Sequence, residues 1–256
     1  MSRNYKYSSL PSDDNAIPYF TLDYTRTAYF LSSVVCFAFV FCIVWSITFN
    51  FYESTNTHCH VTNILPSISA AIGSYSPQKE IWRIAIFINV TPRFFITNFY
   101  KKYFEEILSP IAQLFGNIAC LFNYFELIAL AGLSNWSSTD NYPIHKFCFL
   151  TFILTSVVHM IITCYLLQRH RIIPSTNLET LSLKWKWKLF VINISSFLLA
   201  AYCFMRHTWY CEPYVYSFFA FAEYVIVFSN IAFHTTSVLD FHGKKVICDK
   251  FGIYLA

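Results

Sequence analysis

Charge is scarce in this chain. Only 12% of its 256 residues are Asp, Glu, Lys or Arg, about half of what a soluble domain carries. Glycine is scarcer still, with five residues, and there are nine prolines, which excludes collagen-like and low-complexity classes. The net charge of +4 is small and scattered, so the concentrated basic surface of a nucleic-acid binder is missing and no nucleic-acid partner is expected. Soluble-enzyme signatures are missing too. There is no Gly-x-Ser-x-Gly elbow, no phosphate-cradling loop and no His-Glu-x-x-His zinc motif. What fills the chain instead is apolar: 56% hydrophobic and 20% aromatic residues, with 28 Phe and 18 Tyr. A water-soluble chain of this length could not hide so much apolar surface, so the chain reads as a membrane protein.

A helix needs about 20 mostly apolar residues to cross the hydrocarbon core. Six stretches meet that need: 28–51, 81–100, 111–133, 144–167, 187–205 and 214–241. The second is the weakest, because it contains Arg83, Asn89, Pro92 and Arg93. The first is too long for a signal-peptide core and reads as a retained helix. Alternate connections carry the basic residues: Arg3, Lys6 and Arg26, then Lys101 and Lys102, then Arg169, Arg171, Lys184, Lys186 and Lys188, then Lys244, Lys245 and Lys250. The opposite connections hold Lys79, Lys146 and Arg206. Positive residues stay on the cytosolic side. The expected fold is therefore all-α, a polytopic six-helix transmembrane bundle with both termini cytosolic. Its body spans 24–242, between a disordered cytosolic N-terminus at 1–23 and a short cytosolic tail at 243–256.

With that orientation, Cys59 and Cys211 alone among nine cysteines fall in the non-cytosolic loops, where disulfides persist. A bridge between them is expected. The other readings are free thiols, or Cys59 grouped with His58 and His60 on a metal. Three adjacent residues close a tetrahedral site poorly without remote help, so no metal is expected. Of three Asn-x-Ser/Thr triplets, those at Asn89 and Asn193 lie inside spans. Asn135-Trp-Ser137 lies in an outer loop and is the candidate glycosylation site.

Ionisable residues inside a bilayer are expensive and point to function by default. At the helical rise of 1.5 Å per residue, Glu126 lies about 10 Å below the outer boundary, Glu223 about 14 Å, Arg93 about 18 Å and His159 about 21 Å, with His234 about 30 Å down. An Arg93 pair with Glu126 or Glu223 is the simplest neutralisation. Glu223, Asn230 and His234 share one face of the last span, and Thr151, Thr155, His159 and Thr163 share one face of the fourth. These stripes suit either interhelical hydrogen bonding or a site in which a carboxylate and a histidine act as general base on a hydroxyl. His234 and Asp240 are separated by five residues, one more than the spacing of the glycerolipid acyltransferase motif.

Several segments resemble a known family. Phe41-Cys-Ile-Val-Trp-Ser46, Thr57-His-Cys59, Asn63-Ile-Leu-Pro-Ser-Ile-Ser-Ala-Ala-Ile-Gly73 and Trp82-Arg83 are similar to the first third of the post-GPI-attachment-to-proteins factor 2 family. Pro92-Arg-Phe94, Glu126 and His159-Met160 follow in the same order. Arg206-His-Thr-Trp-Tyr-Cys-Glu212, Glu223-Tyr224, Asn230 and Ala232-Phe-His234 complete a likeness over about 24–242. The resemblance implies a Golgi or endoplasmic reticulum membrane protein in fatty-acid remodelling of GPI anchors. Such a protein re-acylates lyso-GPI at sn-2 with a saturated chain, directly or as an essential factor.

On that footing His159 or His207 is the candidate general base, oriented by Glu126 or Glu223. Arg83, Arg93 and Arg206 are candidate phosphate ligands through the bidentate guanidinium. Asn230 and His234 complete the binding set, with His234 on the side of the acyl donor. The partner is the GPI lipid of lyso-GPI-anchored proteins. No bound cofactor is expected, and acyl-CoA or a phospholipid is the candidate donor. The alternative is a non-catalytic lipid presenter, transporter or trafficking cofactor for a separate acyltransferase.

Overall fold

Side-chain caps and prolines mark where the long helices begin. In the computed structural model, which describes residues 18–73, 75–250 and 252–256, a strand β1 (Phe20–Asp23) leads straight into α1 (Tyr24–Phe49). The Asp23 carboxylate accepts from the Arg26 amide at 2.8 Å and caps α1. Two short helices follow, α2 (Phe51–Thr55) and α3 (Ile68–Gly73), and then α4 (Gln78–Ile107). Pro110 stands in the first turn of α5 (Pro110–Asn135), where a missing N–H costs nothing. Asn141 caps α6 (Tyr142–Arg169) through the Ile144 amide at 3.1 Å. Thr176 and Glu179 form a reciprocal capping box on α7 (Asn177–Tyr210). The chain closes with α8 (Val215–Thr235), α9 (Ser237–Asp240), β2 (Lys245–Asp249) and β3 (Gly252–Leu255).

The six long helices run alternately up and down. Leu108 pairs with Arg171 at one end, where β1, β2 and β3 form an antiparallel sheet in that order. At the other end Lys79 meets Asp140 at 2.9 Å, and Cys59 is bonded to Cys211. We call these the sheet end and the disulfide end. Among the described residues, five helices (α1, α5, α6, α7 and the α8–α9 stretch) are long and apolar enough to cross a membrane. The six expected spans differ from this by α4, which has 30 residues but carries Arg83, Asn89, Arg93 and Asn98 within its length. It packs between α1 and α5 all the same.

The termini depart from expectation. Residues 1–17, with Arg3 and Lys6, lie outside the described residues, but Phe20–Asp23 pairs with Lys245–Asp249, Asp23 opposite Lys245. The expected tail at 243–256 is a hairpin. Gly252, at φ +123°, stands where L side chains are strained, and Tyr254 donates to Asp249 at 2.8 Å. Charges at Lys245, Asp249 and Lys250 hide the short alternation from a hydrophobicity reading. Both described ends of the chain therefore meet in one sheet.

The bundle is apolar outside and buries polar side chains among apolar ones within. Phe37 and Ile111 are 72% and 84% exposed, as suits a surface facing lipid. Near the sheet end Tyr24, Tyr103 and Tyr100 surround Phe241, with ring centroids 4.9–5.5 Å apart. Toward the disulfide end Phe39, Trp82, Val90 and Leu127 form a second core. Lys186, expected in a basic cytosolic connection, is 1% exposed. The capping box starts α7 at Asn177, so Lys186 lies two turns inside a helix. Its ammonium donates to Ser182, Thr236 and Asp240 at 2.6–2.7 Å. Asp240 is thus engaged with α7 and accepts from Tyr100 as well, at 2.5 Å.

Candidate functional site

Four helices bring polar side chains to one point. Glu126 on α5 is fully buried. Its Oε1 accepts from His234 Nε2 at 2.9 Å, Asn230 Nδ2 at 3.0 Å and Arg93 Nη2 at 3.3 Å. Asn230 and His234 are one turn apart on α8, so a single face presents both. Asn230 also donates to Ser156 on α6 at 2.8 Å. His159, one turn further along α6, stacks on His234 with centroids 5.5 Å apart and planes 6° from parallel. Behind Arg93, Asn123 donates to Thr97 at 3.0 Å. Among the described residues Glu126 Oε2 has no protein partner.

The hydrogen bonds fix the proton positions. A carboxylate only accepts, so His234 Nε2 carries a proton, and in the neutral ring Nδ1 presents a lone pair. His159 Nδ1 lies 2.9 Å from the Ala119 carbonyl oxygen, so that nitrogen donates and Nε2 is bare. Arg93 balances the charge of Glu126, as a low-dielectric interior requires.

Two cavities flank this cluster. The larger, about 100 Å³, reaches toward the disulfide end and is lined by Ser69, His145, Glu223, Asn89, Arg93 and Asn230 among apolar side chains. The smaller, about 40 Å³, lies toward the sheet end and is lined by His234, Asn123, Tyr100 and Thr235. Asn89, Arg93 and Ile231 line both, forming the partition.

Of the nine residues expected in a catalytic or binding role, Arg93, Glu126, His159, Asn230 and His234 come together. The estimated depths of Glu126 and His234 differ by about 20 Å, yet the two are hydrogen-bonded. Glu126 is nine residues from the end of α5 and His234 nineteen from the start of α8, so α5 ends about 15 Å deeper at 1.5 Å per residue. α3 folds into the space above it, where a Cβ on Gly73 would stand 3.2 Å from Ser137. Glu223 is not paired with Arg93. It accepts from the Ile68 amide at 3.1 Å and faces the larger cavity.

The other three lie at the disulfide end with partners of their own. His207 is 2.9 Å from Thr57 and beside His58. His58, Cys59 and His207 offer close ligand atoms, with Cys59 bonded to Cys211; His60 is absent from that group. Arg206 holds Glu212 through both carboxylate oxygens, at 2.5 and 2.8 Å, which keeps the Glu212 carboxyl below its ordinary range. Arg83 donates to the Asn135 carbonyl at 2.6 Å and to Asp140 at 3.3 Å. Lys79 and Ser137, bonded to the Asp140 side chain, bring its pKa down to about 2. Asn135 is exposed, while Asn89 and Asn193 are buried and bonded to Leu31 and Ile226 carbonyls.

Residues 24–244 match the Frag1/DRAM/Sfk1/Cwh43P N-terminal domain family. The chain is 44% identical over 241 residues to the "Post-GPI attachment to proteins factor 2" of Drosophila melanogaster, covering 93% of each chain. It is 37% identical over 218 residues to the protein of the same name from Caenorhabditis elegans, covering 82% of each. The chain belongs to the post-GPI attachment to proteins factor 2 family. It is also 41% identical to the "Acyltransferase PGAP2" of Xenopus tropicalis, over 89% of this chain and 91% of that one. No solved structure matches.

The segments that carry the family resemblance supply the cluster: Arg93, Glu126, His159, Asn230 and His234. Sequence reading passes over Ser156, Asn89, Ser69 and His145. The recurrence of Ser156, His159 and Thr163 along α6 is a signal for the first. Ser69 lies within the Asn63–Gly73 segment that carries the resemblance, but nothing in its spacing points to His145, which stands 76 residues away near the start of α6.

Proposed function

We propose that this chain acts in fatty-acid remodelling of GPI anchors, re-acylating lyso-GPI at sn-2 with a saturated chain in the Golgi membrane, or that of the endoplasmic reticulum. The names of its relatives support the pathway, and one observation carries the chemistry: a buried carboxylate holding the imidazole of His234 by Nε2. In this reading His234 Nδ1 takes the proton of the lipid hydroxyl. The oxygen attacks the carbonyl carbon of the donor, acyl-CoA or a phospholipid, and a new ester bond forms. The bond to the departing thiol or alcohol breaks, and the imidazolium returns its proton to that group. Arg93 has five N–H donors, and those not spent on Glu126 are available to the developing oxyanion. The two cavities meet at a partition that includes Arg93, so the cluster is approached from both sides. The reading takes six spans with both ends cytosolic: the basic connections at the sheet end then lie in the cytosol, and the disulfide and Asn135 face the lumen.

The test is reconstitution in liposomes with lyso-GPI and labelled stearoyl donors, thioester and phospholipid in separate arms. Wild type is expected to label sn-2, and folded Glu126→Gln to fall by about 10²–10⁴-fold, the usual worth of general-base catalysis. A second reading, a lipid presenter or cofactor for a separate acyltransferase, is favoured by the three donors already crowded on one Glu126 oxygen. No transfer by folded wild-type protein selects it.

A further inference from the structure

At the mouth of the larger cavity, away from Glu126, Ser69 Oγ lies 2.9 Å from His145 Nε2. Nδ1 of the same ring lies 2.9 Å from the Trp136 carbonyl oxygen. A carbonyl oxygen only accepts, so Nδ1 carries the proton and Nε2 presents its lone pair to the serine hydroxyl. Nucleophile, base and the group that holds the base are thus all in hydrogen-bond reach, the arrangement that activates a hydroxyl for covalent catalysis. We propose that Ser69 and His145 form a nucleophile–base pair that takes the acyl group of a long-chain lipid ester onto Ser69 Oγ.

The seat of the serine is built from several directions. The Ala71 carbonyl accepts from Ser46 Oγ at 3.0 Å, the Ile68 amide donates to Glu223, and the Pro66 carbonyl accepts from Tyr224. These contacts hold both sides of Ser69 to α1 and α8, so its hydroxyl is positioned by the core and not by a free loop. The substrate class follows from the cavity walls. Ile72, Trp82, Leu133 and Phe149 make them apolar, as an acyl chain needs, while the polar pair stands where the ester carbonyl would lie.

In the acylation step Ser69 Oγ attacks the ester carbonyl carbon and the hydroxyl proton passes to His145 Nε2. The Oγ–C bond forms, the ester C–O bond breaks, and the departing oxygen takes that proton and leaves as an alcohol. Attack by a second hydroxyl compound, water or a lipid alcohol, discharges the acyl-serine by the same proton transfers. This activity is independent of the Glu126 reading.

A long-chain alkyl fluorophosphonate on the full-length protein in detergent micelles, with the adduct mapped by peptide mass spectrometry, tests it without any transfer assay. The expected result is an adduct on Ser69 that forms about 10²–10⁴-fold more slowly in His145→Gln. The adduct is lost in Ser69→Ala and unchanged in Ser33→Ala on the outer face of α1. Folded wild-type protein that stays unlabelled, labels at another serine, or labels equally fast as His145→Gln would overturn the proposal. If Ser69→Ala does not fold, the wild-type adduct map and the His145→Gln rate decide.

Discussion

Glu126 gathers three donors onto one oxygen, and the histidines beside it are not equivalent. His234 is held by the carboxylate and lines a cavity, whereas His159 gives its proton to a backbone carbonyl and lines neither cavity described. His234→Ala is expected to lose about 10²–10⁴-fold in transfer rate, the range for a lost general base. His159→Phe keeps an aromatic ring in the stack and is expected to stay within about tenfold of wild type, a difference of about 1.4 kcal/mol in barrier. Equal losses in the two variants would refute the assignment of roles. At the disulfide end the ion pair on Asp140 sets a pH dependence. Its folded pKa of about 2 lies below the ordinary carboxylate value. The stabilisation is therefore fully present above about pH 4, the unfolded pKa, and is lost as pH falls toward 2. Thermal unfolding of wild type and Asp140→Asn should give midpoints that differ at pH 6 and converge near pH 2.

Helix contacts of two kinds hold the bundle. α5 and α6 approach closely at Gly132, where an added Cβ would stand 2.6 Å from Cys148 Sγ. Small residues permit such approach in membranes, so Gly132→Ala should destabilise by about 1–3 kcal/mol through overpacking, and Gly132→Ala with Cys148→Ala should recover part of it. The second kind is ionic. Lys186 joins α7 to α9 and, through Asp240, to Tyr100 on α4. Lys186→Met leaves Asp240 buried without its cation and should cost about 3–5 kcal/mol, whereas Lys186→Met with Asp240→Leu should cost far less. Equilibrium unfolding in detergent measures both cycles; a double variant as unstable as the single would count against the ion-pair account.

At the scale of the molecule, each end of the bundle is tied by a link between distant parts of the chain. The sheet joins Phe20–Asp23 to Lys245–Asp249, and the disulfide closes a separation of 152 residues. A covalent link over so long a loop restricts the unfolded chain, typically by about 2–5 kcal/mol. Cys59→Ser should lower stability by that order and make the unfolding of wild type under a dithiol reductant resemble its own. Because α2 and α3 lie between α1 and α4, loosening this end should also disturb Ser69 before it disturbs Glu126. Loss of fluorophosphonate labelling with retained sn-2 transfer in Cys59→Ser is the expected pattern.

What the sequence by itself determined is what depends on composition and local spacing. Sparse charge and long apolar runs place the chain in a membrane, and the runs locate α1, α5 and α6 to within a few residues, whereas α4 runs seven residues past its expected end and α7 begins ten residues before its expected start. The four-residue recurrence on α6 and the stripe on α8 show which faces turn inward. Motifs such as Arg206–Glu212 lead to the family. The Cys59–Cys211 bridge and an Arg93–carboxylate pair were legible in the sequence, but the other partners across the bundle were decided by the tertiary structure. Depth along a helix is local, but the offset between helices is set by packing, and the end of α3 packs against Ser137 just beyond the end of α5. That offset brings His234 to Glu126, leaves Glu223 to the Ile68 amide and carries His145 to Ser69. The strand at 20–23 was equally hidden, because pairing with 245–249 at the other end of the chain is what makes it a strand, while the charges on 245–249 hide its alternation.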